Sequence, residues 1–287
     1  MLIVTIRKGR AMNSPTQANI RDEDIQAYNE DGVVVLRGAV SPEWLERIAG
    51  AIERDIAEPA PFVHGYPATG GKGRFHGNLR IWEHDPDFRA FCRDSSMPAL
   101  AARFLNSDSV NLLYDQLFVK EAGTPNPTRW HNDQPYWPIR GWQIVSFWMS
   151  PDPVTKDSGA LEFIRGSHKW NTFYQPERFG DTKAHDDYER NPDYVEIPDI
   201  EAARRDYDIV TWDLEPGDIY VFHALTVHGA GGNLRDDVRR RGYTVRYTGD
   251  DIQYDTRPGT NEHLRSAKFN DGDRLRAPHY PQVWPGA

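Results

Sequence analysis

The chain is expected to fold as one mainly β domain, a closed or sandwiched barrel flanked by helices. Past residue 108, short apolar runs of strand length recur between turn signals. The 23 glycines and 21 prolines gather between those runs, as many turns and long loops require. Helical periodicity falls mainly before that point, and no repeat or clean linker divides the 287 residues.

Residues 1–20 read as a loose arm, and a start at Met12 would remove little of structural character. Asp22-Glu23-Asp24 opens a short helix carrying Ile25 and Tyr28, with Gly32 placed to end it. VVVLRG (33–38) is a strand. Ser41 then caps a helix with Pro42 in its first turn, and Trp44, Leu45, Ile48, Ile52 and Ile56 share one apolar face. The Gly/Pro-rich stretch 59–80 is a loop, either an ordinary surface loop or a flap over a pocket. Its GYPATGGKG segment lacks the register and the hydroxyl of a phosphate-binding loop. Residues 86–105 are helical in two pieces split at Pro98. Strands follow at 110–120, 142–149, 160–164, 209–214, 218–223 and 241–248. They give a barrel core of about 108–250 with a polar insert at about 170–207, all within one domain spanning 21–287.

Hydrophobic residues make up 38% of the chain and aromatics 12%, ample for a core, which excludes disorder. A net charge of -9 with interspersed signs argues against nucleic acid or an anionic membrane as the main partner. The single cysteine, Cys92, rules out an intrachain disulfide and cysteine-rich metal sites, which fits a reducing cytoplasm. No apolar run is long enough to cross a bilayer, and the N-terminus lacks the apolar stretch of a signal peptide. A small molecule is the expected partner; nothing in the residues sets an oligomeric state.

WHNDQPYW (130–137) carries the first chemical signal. In an extended segment side chains alternate, so His131 and Asp133 would share a face, as two metal ligands or as a buried hydrogen-bonded pair. GDIYVFHALTVHGAGGN ends an apolar strand on His228 and follows it with glycines that let backbone approach closely. Two histidines and a carboxylate on one face of a metal leave three positions open, the donor set of non-haem Fe(II) oxygenases. His223, at odd separation from His228, is taken as structural. In RDDVRRRGYTVRYTGDD, the basic cluster is either a solvated hairpin end or the source of one inward arginine. An inward guanidinium opposite a chelating metal suits a dicarboxylate, and 2-oxoglutarate is one.

Three ordered blocks make the pattern specific: LLYDQLFVKEAGTPNPTRWHNDQPYW, VSFWMSPDPVTKDSGALEFIRGSHKW and GDIYVFHALTVHGAGGN. With AYNEDGVVVLRGAVSPEWLERI before them and VRRRGYTVRYTGDD after, the chain resembles the phytanoyl-CoA dioxygenase family of Fe(II)/2-oxoglutarate oxygenases, especially its bacterial members. The resemblance implies a double-stranded β-helix, the jelly-roll or cupin-like barrel. It implies Fe(II) on His131, Asp133 and His228, with 2-oxoglutarate and O2 as co-substrates. Trp137 and Gln116 match residues lining the 2-oxoglutarate pocket, and Lys120 shares strand parity with Gln116. Ala230 stands where relatives carry a serine. Family spacing from His228 points to Arg239 as the carboxylate anchor, whereas strand register through Arg246-Tyr247 points to Arg240, the preferred choice. Asp133 itself argues for hydroxylation over halogenation. Substrate contacts are expected from Tyr136, Arg165 and His168, and from Lys72 and Arg74 in the 59–80 loop. Trp130, Tyr136, Trp137 and Trp142 suit a dry cavity, while Trp148 is expected to be plain core. A cupin-like metal enzyme without 2-oxoglutarate and a non-catalytic ligand-binding barrel are the competing readings.

Overall fold

The structure, a computed structural model, describes residues 20–67, 73–177 and 189–286. Most of the expected N-terminal arm, Lys72 and the middle of the polar insert lie outside the described residues. Four helices come early: α1 (Asp22–Asp31), α2 (Pro42–Ala57), α3 (Pro86–Asp94) and α4 (Met97–Leu105). Gly32 ends α1 in the left-handed region at φ 79°. The Ser41 hydroxyl accepts the Trp44 N–H at the start of α2, and the Asp85 carboxylate accepts those of Asp87 and Phe88 at the start of α3. Sequence reasoning splits 86–105 at Pro98, but the break falls at Ser95-Ser96. Pro98 sits in the first turn of α4, where its missing N–H is no loss.

Fourteen strands follow the chain among the described residues: β1 (Val33–Leu36), β2 (His64–Pro67), β3 (Arg74–Leu79), β4 (Val110–Lys120), β5 (Thr128–His131), β6 (Ile139–Arg140), β7 (Ile144–Met149), β8 (Leu161–Ile164), β9 (Ile209–Thr211), β10 (Ile219–His223), β11 (His228–Ala230), β12 (Arg240–Thr248), β13 (Gln253–Tyr254) and β14 (Gln282–Trp284). A large antiparallel sheet runs β1-β10-β7-β12-β4-β3-β2, with β14 also on β4, and a small one runs β5-β11-β8-β9. The small sheet closes over one face of the large one, so that Trp148, Tyr220 and Phe222 meet Leu161, Phe163 and Ala230. On the other face Ile48, Phe88, Phe91 and Phe104 from the helices bury Leu117, Val119, Phe147 and Val245. Burial on both sides explains why β7 reads as the unbroken run IVSFWM. The result is a double-stranded β-helix. Among the described residues no helix is long and apolar enough to cross a membrane.

Two features were not foreseen. The stretch 59–80 holds β2 and β3, which extend the large sheet, with Phe75 opposite Lys120. Their polar residues are tolerated because Asp55 of α2 receives them: its carboxylate meets His76 Nε2 at 2.8 Å and accepts from Asn78 Nδ2 at 2.9 Å. The second is a bulge in β4, where Arg246 faces Tyr114 but Tyr247 faces Leu112. Beyond it Tyr114, Gln116, Phe118 and Lys120 point into the barrel, and Asp115, Leu117 and Val119 toward the helices.

Asp115 is fully buried under those helices, accepting the Trp82 N–H at 3.1 Å and the Tyr243 hydroxyl at 2.9 Å. Burial pushes its carboxyl up to about 7. The folded chain then keeps a proton that the unfolded chain releases near pH 4, so stability falls as pH rises from about 4 to about 7, by at most about 4 kcal/mol. Asp115→Asn removes the charge, accepts the Trp82 N–H on its amide oxygen and presents its amide N–H to the Tyr243 oxygen, whose own proton can turn to Cys92 Sγ. Urea midpoints at pH 5 and pH 8 should show the variant gaining on the parent at the higher pH; a pH-independent difference would mean that Asp115 is ionised throughout.

Candidate active site

β5 and β11 are paired so that His131 lies directly opposite His228. Their ring centroids are 4.2 Å apart. His131 Nδ1 lies 2.7 Å from the Arg129 carbonyl and His228 Nδ1 lies 2.9 Å from that of Thr226. A carbonyl only accepts, so both Nδ1 atoms carry the proton and both Nε2 lone pairs face the space between the strands. Asp133 completes the group. Sequence reasoning places it in extended chain, but β5 ends at His131 and Asp133 is helical (φ -75°, ψ -40°), opening a 3-10 turn over Gln134–Tyr136. Its N–H donates to the Ala224 carbonyl, which ties the turn to the segment leading into β11. Its Oδ1 stands 3.5 Å from His131 Nε2.

The three side chains are buried, and one donor atom from each lies within 4.8 Å of the others. Burial, together with the neighbouring His131, pushes the His228 imidazole down to about 3, so it is neutral at pH 7 and open to a metal. For Asp133 burial acts to raise the pKa, but Arg246 and the two histidines override it and hold the carboxyl well below its usual range. Two imidazole Nε2 atoms and one ionised carboxylate oxygen form a donor set that fits a divalent iron ion.

Arg240 and Lys120 sit directly opposite each other on β12 and β4, both pointing inward and both buried. Arg240 Nη1 donates to the Phe118 carbonyl at 3.2 Å, and its guanidinium lies 5.5 Å from the Trp148 ring. Lys120 Nζ donates to the Gly231 carbonyl at 2.7 Å, three residues past His228. Burial first, and Arg240 second, lower the Lys120 pKa well below its normal value. Two basic side chains thus face each other in the interior, and each disfavours the charged form of the other. Arg239 faces outward onto Glu53 and Glu121. Gln116 accepts from the Tyr114 hydroxyl, which accepts in turn from the Trp137 indole N–H at 2.8 Å. Ala230 lines the same interior beside Trp148.

The other expected residues are distributed differently. The Tyr136 ring stands edge-on to His131 at 5.9 Å, its hydroxyl donating to the Glu177 carbonyl. Arg165 points outward between Asp31 and Asp208. His168 is buried beneath α1, with Nε2 3.2 Å from the Asn29 carbonyl and rings of Trp142 and His223 alongside. Neither is hydrogen-bonded to or stacked on the three ligands. Arg74 is exposed. Trp142 is 46% exposed and Trp130 turns away to donate to Glu201, so neither walls the cavity. Trp148 is core as expected, buried between the two sheets, and its ring also lies 5.5 Å from the Arg240 guanidinium. Arg246 was missed, although an even offset from Arg240 along one strand places it on the same face.

A jelly-roll barrel with this donor set belongs among the non-haem metal enzymes. The phytanoyl-CoA dioxygenase (PhyH) family model matches residues 28–242. The chain belongs to the phytanoyl-CoA dioxygenase family, and with it to the iron- and 2-oxoglutarate-dependent oxygenases. The multifunctional dioxygenase prhA of Penicillium brasilianum is 26% identical over 234 residues, covering 77% of this chain and 69% of its own. Among solved structures, the non-haem alpha-ketoglutarate-dependent carbocyclase SnoK aligns with a TM-score of 0.73 at 22% identity, over 94% of this chain and 99% of its own. The epimerase SnoN, solved with Fe3+, alpha-ketoglutarate and nogalamycin RO, aligns with a TM-score of 0.70 at 20% identity, over 91% and 98%. These two likenesses show the fold.

Gly242 lies between the two inward positions Arg240 and Thr244. A Cβ there would stand 2.6 Å from Trp148 and 2.7 Å from Arg240 Nη1. Gly242→Ala should therefore cost about 1–3 kcal/mol in urea unfolding. Unchanged stability would show that Trp148 and Arg240 can move aside freely.

Proposed function

We propose that the protein is an Fe(II)- and 2-oxoglutarate-dependent dioxygenase that hydroxylates an unactivated C–H bond of a small molecule, converting 2-oxoglutarate to succinate and CO2. What carries the reading is the register of β12. It sets Arg240 against Lys120 inside the same barrel that holds His131, Asp133 and His228. A metal-poised triad alone would suit many enzymes; a buried cation pair beside it calls for a carboxylate.

His131, His228 and Asp133 would hold the iron through the two Nε2 atoms and a carboxylate oxygen. Arg240, with Lys120, would hold the distal carboxylate of 2-oxoglutarate, while Gln116 and Trp137 line its flank. Ala230 offers no hydroxyl there, which leaves more of that contact to the cations. When bound, the iron would activate O2 as the oxidant, with 2-oxoglutarate giving up two electrons, so that one oxygen atom would go to succinate and the other to the C–H bond. The chain's own share is positioning and dryness. The two backbone carbonyls fix each imidazole in the ligating tautomer. Tyr136, Phe163 and Phe222 surround the histidines and keep water out. Tyr136, beside His131, is the proposed substrate contact. The neighbours SnoK and SnoN are a carbocyclase and an epimerase, so hydroxylation here is inferred from Asp133 and not from the fold.

The test is anaerobic. Metal-free protein is given Fe(II) and then 2-oxoglutarate, and the visible charge-transfer band of a chelated keto acid is followed. The band should form. Arg240→Ala should weaken 2-oxoglutarate binding roughly 100-fold or more, the cost of leaving a buried charge unpaired. Arg239→Ala should leave it unchanged. Fe(II) binding without any band would overturn the 2-oxoglutarate assignment and favour a metal hydrolase or isomerase.

A further inference from the structure

Arg246 lies on the inward face of β12, six residues past Arg240, opposite Tyr114 on β4 and Ser146 on β7. Its side chain is 4% exposed, and its Nε stands 3.5 Å from Asp133 Oδ2. The other carboxylate oxygen, Oδ1, is the one that faces His131 Nε2. The two oxygens of Asp133 are thus divided between the ligand space and a buried cation. The guanidinium is held firmly, with its central carbon 4.6 Å from the Tyr114 ring and 5.4 Å from the Trp137 ring. The Trp137-to-Tyr114 hydrogen bond locks those two rings to each other. Nη1 is enclosed without a hydrogen-bond partner among the described residues, in a guanidinium that lies over the two aromatic rings.

A carboxylate can grip a metal through one oxygen or through both. With two histidines, a one-oxygen grip leaves three of six positions open, and a two-oxygen grip leaves two. A keto acid that chelates needs two positions, and O2 needs a third. We propose that Arg246 is a positioning residue that engages Oδ2 of Asp133, so that this carboxylate ligates through Oδ1 alone and the third position stays open. The assignment rests on the oxygenase function proposed above, but it can be read on the metal site by itself.

Co(II), whose visible bands report coordination number, is bound to the full chain without 2-oxoglutarate. Arg246→Met should change the Co(II) spectrum, and Arg246→Lys, which keeps the charge, should restore part of it. Arg240→Ala should leave that spectrum as in the parent. With Fe(II) present, Arg246→Met should also weaken 2-oxoglutarate binding by roughly tenfold, the scale of one lost charge-assisted contact. A parent-like Co(II) spectrum in Arg246→Met overturns the proposal. If that variant does not fold, Arg246→Gln is read in the same way, and an unchanged spectrum there overturns it equally. Failure of the oxygenase function would show separately, as a parent protein that forms no charge-transfer band.

Discussion

Asp133 is 5% exposed, and an ionised carboxylate at that depth would cost several kcal/mol unless positive charge surrounded it. Much of the barrel interior answers that requirement. Arg246 stands on one oxygen, the imidazole of His131 faces the other, and Tyr114 and Trp137 fix the arginine where the carboxylate needs it. The strand pairing that puts His131 opposite His228 brings two imidazole donors to the same place. A barrel that buried only the acid would protonate it and lose the metal site. One that buried only the cations would have no reason to hold iron.

The large sheet separates two kinds of polar burial. On its helix side Asp55 meets His76 Nε2 and Asn78 Nδ2, and Asp115 accepts from the Trp82 backbone N–H and the Tyr243 hydroxyl, so each carboxylate finds its donors inside the protein. On its barrel side the basic side chains of Arg240 and Lys120 face each other. The first arrangement stabilises a fold; the second is the one that the proposed carboxylate ligand would complete. Residues of similar polarity on the two faces of one strand, such as Asp115 and Gln116, therefore do different work.

Much of this was legible in the residues. The apolar runs of β4, β7 and β10 mark strands because their sheet is covered on both faces, and the ordered motifs single out His131, Asp133 and His228, which the fold brings together. Strand parity chose Arg240 for the interior over Arg239, whose outward pairing with Glu53 and Glu121 agrees with that geometry. What stayed hidden depends on long-range contacts. β3 is polar and interrupted by glycine, and only Asp55, distant in sequence, makes it a credible strand. Asp133 converges with His131 through a turn tied to Ala224, not through extended alternation. Trp142 is exposed where a cavity wall was expected, because it precedes β7 rather than lying on it and sequence shows aromatic content but not where the sheet begins. His168 has the company of a site residue in sequence, yet in space it completes the packing under α1.

The bulge in β4 has a consequence for comparing this chain with its relatives. It resets the phase of the strand, so that residues from Tyr114 onward present their even positions to the ligand space. The connection between His228 and Arg240 carries no such phase. A residue gained or lost in that loop shifts every count made from the histidine and leaves the cavity untouched. The same change inside β4 or β12 would exchange the contents of the cavity with those of the helix interface. Length is thus a free variable in one segment and a fixed one in its neighbours. Equivalent positions in other members are best found by strand phase rather than by distance along the chain.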